Sequence, residues 1–240
     1  MIKFLLPPLV FTLVANHVFG FKQEDVNKLI KTGECFACDF SGFDFSGKKF
    51  TNIAADSADF SNADLRGASF IDSYMNKASF LDAKLDRTSF SGSKLFGVIL
   101  RGIDLRKVDL SRVDLRRADL ENSKLSMLRQ ANLKSANLAK ANLVGADLSD
   151  TVLQDVNLRS ADLSNANLEA SRLHDADLTG ADLTNANLKN SGLGGANLTG
   201  AVMLNANLDF ADMYGARLCN TVVPDGQRIF YECRARFWTH

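Results

Sequence analysis

Histidine is scarce in this 240-residue chain, which has three, and the formal net charge is zero with those histidines neutral. A balanced total argues against a strong polyelectrolyte such as nucleic acid as partner. Long apolar runs are missing as well. The principal one, from Phe4 to Val14, has eleven residues, too few for a membrane span of ~20. No nucleophile–base arrangement, phosphate-binding glycine loop or metal-ligand cluster is present in the sequence, so the chemistry of an enzyme has no visible seat. Cysteine is limited to four.

What fills the chain is a five-residue beat from Phe40 to Leu218. Ala131-Asn132-Leu133-Lys134-Ser135 and Ala136-Asn137-Leu138-Ala139-Lys140 show it: a small residue, Asp or Asn, a large apolar centre, then two variable residues. Centres fall at every fifth position from Phe40 to Leu125, which makes 18 repeats, then shift phase and run from Leu128 to Leu218 for 19 more. Small residue and centre are two apart, hence on the same side of an extended chain. Each repeat is therefore a short strand fragment with two inward side chains, followed by a corner. A period of five fits neither a helix nor a flat sheet.

Identical corners close the chain into a coil. Phe occupies centres 40, 50, 60, 70, 80 and 90, with Leu65, Met75, Leu85 and Leu95 between; Phe45 and Ala55 break the alternation. Bulk alternating every ten residues indicates an even number of sides. A four-sided coil of twenty residues stacks Phe40, Phe60 and Phe80 in one column and Phe50, Phe70 and Phe90 in the opposite one.

The motif Ala-(Asp/Asn)-Leu-x-x resembles that of the pentapeptide-repeat family, over about three quarters of the chain. The resemblance implies an all-β fold, a right-handed quadrilateral β-helix of about nine coils, roughly 40–45 Å long at ~4.8 Å between strands. The phase break through Ser126-Met127-Leu128-Arg129-Gln130 has two readings. Either a three-residue loop bulges out, with room for a binding function, or one side is shortened by two residues.

Charge is unevenly placed. Residues 98–140 carry ten basic and five acidic side chains, residues 141–188 two and eight. Arg101, Arg106, Lys107, Arg112, Arg116 and Arg117 are a candidate interaction surface, but successive repeats occupy different sides, so they form a belt that meets a flat partner poorly. In a twenty-residue coil Asp44, Asp64, Lys84, Asp104 and Lys124 share a column of mostly alternating sign. Asp147, Asn167, Asn187 and Asn207 share another, suited to an amide ladder.

Residues 1–20 read as a secretory signal peptide: Lys3, the apolar run to Val14, and a cleavage site at Val18-Phe19-Gly20, with an uncleaved anchor as the alternative. Residues 21–37 read as a helical cap, with Val26, Leu29 and Ile30 of a helix over Lys22 to Lys31 set on the first coil. The entry Lys28-Leu29-Ile30-Lys31-Thr32-Gly33-Glu34-Cys35 looks like that of exported family members. Residues 38–220 form the β-helix and 221–240 a C-terminal cap, with a turn at Pro224-Asp225-Gly226 and cover from Ile229, Phe230, Tyr231, Phe237 and Trp238. The rod holds the two cysteine pairs much further apart than the ~7 Å limit for a bridge. Within one molecule this leaves Cys35–Cys38 and Cys219–Cys233, read as staples of an exported protein.

Side chains fill the interior of such a coil and leave no active-site pocket. His174 follows centre Leu173 and is expected to stand outward in solvent. The reading is a non-catalytic exported rod, periplasmic or secreted, that binds an as yet unidentified protein. No cofactor, metal or small-molecule substrate is expected, and no membrane span after signal cleavage. The alternative, implied by the resemblance, is a DNA mimic acting on a topoisomerase such as gyrase. The neutral charge and the export signal both depart from that pattern.

Overall fold

The computed structural model describes residues 20–230. Each repeat contributes one side of a coil, and strands of successive coils pair in parallel twenty residues apart, as in Asp39 with Asp59 and Asp59 with Ser79. The ladder is regular. Phe40 donates its N–H to the Asp59 carbonyl at 2.8 Å, and Asp59 donates back to the Cys38 carbonyl at 2.9 Å. Twenty residues at five per side make four sides. Most strand fragments are single bridged residues; the longer ones are β1 (Lys49–Thr51) with β2 (Ser69–Ile71) and β3 (Asp104–Leu105) with β4 (Lys124–Leu125), both parallel.

Two local devices make the corner. The second residue after the centre has positive φ, as in Asn62 (59°) and Asn165 (59°), and the next N–H returns to the centre carbonyl, as from Ala63 to Phe60 at 3.0 Å. That is type II turn geometry, which favours Gly and Asn at this position. The Asp or Asn before the centre accepts the N–H two residues on, as Asp59 does from Ser61 at 2.8 Å. The acidic residues of the repeat thus serve the turn first.

The phenylalanine columns stand where the alternation places them. Phe60 and Phe80 stack at 5.0 Å with planes 5° apart, and Phe50–Phe70 and Phe70–Phe90 at 5.1 and 5.6 Å. Small inward positions that hold a hydroxyl return it to a backbone carbonyl, as Ser171 Oγ does to Leu168 at 2.7 Å. A buried hydroxyl therefore stays satisfied.

The phase break is a shortened side. Asp114 pairs with Asn132, Asp119 with Asn137 and Lys124 with Asn142, each eighteen residues on, and the twenty-residue register resumes at Met127 with Asp147. Leu125 and Leu128 are both buried centres. The missing pair is the corner itself, because Ser126, the small residue of the Leu128 repeat, follows Leu125 directly. Its hydroxyl donates to the Arg106 carbonyl. No loop bulges from the rod here.

α1 (Gln23–Thr32) precedes the first coil, with Gly33 at φ 75° as its C-cap and Val26 and Leu29 buried. Ile30, expected on the same face, is 56% exposed. Only a narrow stripe of so short a helix meets the coil, and Ile30 lies past its edge. At the other end β5 (Thr221–Val222) pairs antiparallel with β6 (Arg228–Ile229), and the centres Leu208 and Met213 are partly uncovered. Tyr231, Phe237, Trp238 and the segment read as a signal peptide, up to residue 19, lie outside the described residues. Among the described residues no helix is long and apolar enough to cross a membrane.

Candidate interaction surface

The six basic residues are distributed as a belt. Arg101 follows a centre on one side, Arg106 and Lys107 turn the next corner, Arg112 the third, and Arg116 and Arg117 the fourth. Four of them are neutralised in place. Arg106 grips Asp104 at 2.6 Å, Arg116 meets Asp114 at 2.8 Å, Arg101 reaches Asp119 and Glu121 at 2.9 and 3.2 Å, and Lys107 reaches Asp86 at 3.2 Å. Arg112 bonds to Ser91 Oγ at 3.3 Å, and Arg117 lies 5.8 Å from the centre of the Phe96 ring. The structure brings no two sides of the belt together.

The charged column pairs differently from expectation. Asp64 and Asp104 bind Arg66 and Arg106 of their own repeats, not the lysines of the next coil. Residues two apart share the outward side, so the arginine reaches its own carboxylate first. The hydrogen bond from the Arg106 side chain lowers the Asp104 pKa to about 2. Arg66 acts the same way on Asp64, in the same direction. Burial by itself raises the Asp114 carboxyl, but hydrogen bonds from Arg116 outweigh it and the net shift is downward. The amide ladder is partial. Asn187 donates to Asn167 at 3.1 Å, while a second ladder, missed from sequence, links Asn205, Asn185 and Asn165 at 3.3 and 3.2 Å.

Cys35 and Cys38 are joined by a disulfide with Cα atoms 5.6 Å apart. It spans the first corner, with both sulfurs turned inward. The other expected bridge involves Cys233, which lies outside the described residues. Asp25 of α1 brings a carboxylate oxygen within 4.8 Å of both sulfurs, but bonded sulfurs are not metal ligands in this form. A cleft of about 290 Å³ opens beside them, between Lys28 and Thr32 of α1 and Glu34, Phe36 and Asp56 of the coil.

His174 stands outward as predicted but is not simply solvated. Its ring lies across Gly192 and Gly194, so close that a Cβ on Gly192 would come 2.4 Å from Cε1. Its Nδ1 is covered and has no hydrogen-bond partner. All three outward positions of that repeat, 192, 194 and 195, are glycine, and that triplet was the available signal.

Comparison with known proteins agrees with this architecture. Residues 34–70, 56–92, 89–126, 127–155, 151–190 and 193–222 match the family model for pentapeptide repeats, with eight copies. Among curated proteins there is no match. Among solved structures, HetL, a pentapeptide repeat protein involved in heterocyst differentiation regulation in the cyanobacterium Nostoc sp. strain PCC 7120, is 27% identical over 88% of this chain and 100% of its own, with a TM-score of 0.50. QnrB1, a plasmid-mediated fluoroquinolone resistance protein, is 18% identical over 75% of this chain and 90% of its own, at a TM-score of 0.44. A pentapeptide repeat protein of the Arabidopsis thaliana thylakoid lumen is 34% identical over 52% of this chain and 71% of its own, at 0.19. On the repeat model, which matches most of its length, the chain belongs to the pentapeptide repeat family.

Proposed function

We propose that the chain is a non-catalytic, exported rod that works by surface contact with a protein partner. The observation that carries this reading is the filled interior. Centres from Phe60 through Leu198 are packed inside the coils, where large side chains such as Phe60, Phe80 and Leu105 have no exposed surface. Chemistry is thereby confined to the outside, where many carboxylates are already engaged in turns and ion pairs, as Asp59, Asp104, Asp114 and Asp177 are. Export rests on the leader-like first twenty residues and on the Cys35–Cys38 disulfide.

The DNA-mimic alternative is weaker. The acidic residues of 141–188 are spread over four sides, and several are committed to the corner. Asp147 and Asp162 each accept the N–H two residues on, and Asp177 does so while also pairing with Arg159 at 2.9 Å. They do not form the parallel rows of free charge that a duplex presents.

Crosslinking in the native host tests the role: recovery of one specific protein supports it, and repeated recovery of none counts against it. Intact mass with and without reduction and alkylation tests export. Loss of residues 1–20 with no free thiol is expected, whereas an uncleaved chain with four free thiols, together with inhibition in a gyrase supercoiling assay, brings the alternative forward.

A further inference from the structure

The second corner residue, two after each centre, is left-handed in nearly every repeat and is Gly, Asn, Asp, Ser, Ala, Gln, Lys or Arg everywhere but one. The exception is Phe210, at φ 57° and 85% exposed. A bulky ring at positive φ is a backbone outlier, and strain of this kind persists where function requires it. The ring also loses by standing in water. Nothing in the corner gains from it, since Asn190, at the same corner one coil earlier, makes the same turn at φ 57°. Asp209 precedes the ring and Asp212 follows it; both are exposed and neither forms an ion pair among the described residues, so each keeps its full charge, although Asp212 also accepts the Tyr214 N–H at 3.0 Å. Tyr214, 61% exposed, stands at the next corner.

We infer that Phe210 is the anchor of an interaction surface, and that its partner is a separate protein offering an apolar pocket rimmed by lysine or arginine. This rests on the reading of the chain as an interaction rod. A lone protruding ring has no walls to hold a small molecule, but it is the kind of residue that dominates a protein interface once it enters a pocket. The flanking carboxylates select a basic rim and oppose an acidic one. A second copy docked symmetrically through this corner would set Asp209 and Asp212 against their own equivalents, which disfavours a self-contact.

Two measurements test it. In the whole purified protein, Phe210→Asn is expected to raise Tm by a few degrees, because strain is relieved and no packing is lost. A lower Tm would show that the ring is a structural contact. In the native host, p-benzoylphenylalanine at position 210 is expected to give an adduct that the same probe at 190 does not. The attached peptide should map to an apolar pocket lined by Lys or Arg, and Asp209→Lys with Asp212→Lys should reduce the yield at least tenfold. Adducts to residues 231–240 of the same chain, or to a second copy, overturn the inference. So does silence at 210 while probes on other sides capture a protein, which leaves the rod reading intact. Silence on every side removes the rod reading as well.

Discussion

The Asp25 carboxylate of α1 accepts the backbone N–H of Asp39 in the first coil at 2.9 Å. In every later coil the equivalent donor is paired with the coil before it, as Asp59 is with Cys38. α1 therefore supplies, from a side chain, an acceptor where later coils use the carbonyl of the coil before. An open strand edge invites pairing with other chains, and Asp25 closes part of it.

Replacing Asp25 with Ala is expected to leave that half-buried donor without a partner, at a cost of about 1 kcal/mol, the low end for a lost partner because water reaches the end of the rod. Amide exchange at Asp39 should accelerate while that at Asp59 is unchanged. Equal protection at Asp39 in both proteins would contradict the capping role.

Acid should weaken the rod in a defined window. Asp64, Asp104, Asp114 and Asp177 all titrate lower when folded than when free, Asp104 at about 2. A depressed folded pKa contributes stability above the unfolded value near 4 and loses it as pH falls through the folded one. Denaturant midpoints are therefore expected to drop between about pH 4 and 2. The effect is modest because the arginine partners are half exposed and screened by solvent. Arg106→Ala should bring the Asp104 titration, followed by carboxyl NMR, back toward the ordinary range; an unchanged titration would mean that Arg106 is not the cause.

His174 and Gly192 should behave as a coupled pair. Gly192→Ala places a methyl in the imidazole ring and is expected to cost about 1–3 kcal/mol as an overpacked contact. In a His174→Ala background the same change should cost little, giving a coupling energy that a double-mutant cycle measures. Additive effects would show that the ring does not rest on the glycines.

The period of five, the four sides and the phenylalanine columns were legible because bulk recurs every ten residues and inward positions tolerate little else. The contraction at residues 125–128 left two readings open, since a loop and a missing corner leave the same gap in the pattern. Which charges pair was misread because column neighbours were weighed above Asp104 and Arg106, two apart on one outward side. Asp25 was invisible because its partner depends on where α1 docks, which no repeat encodes. His174 was misread although three outward glycines one coil on gave the clue. Phe210 could have been found by asking which residue breaks the corner's preference.

If Leu128 is a core centre and not part of a loop, Leu128→Ala should destabilise by about 2–5 kcal/mol, as at other buried leucines. Leu125→Ala should cost a similar amount. A loss below about 0.5 kcal/mol, the range of ordinary surface changes, would place Leu128 outside the core.

The central claim is that one uninterrupted coil crosses residues 125–128. Residue-resolved amide exchange tests it most directly. The Leu128 and Gln130 amides bond to the Asp147 and Ser149 carbonyls, each at 3.1 Å. They are therefore expected to exchange as slowly as those of Leu148 and Asp150. Fast exchange confined to 126–130, with both flanks protected, would contradict the account and restore a loop at the middle of the rod.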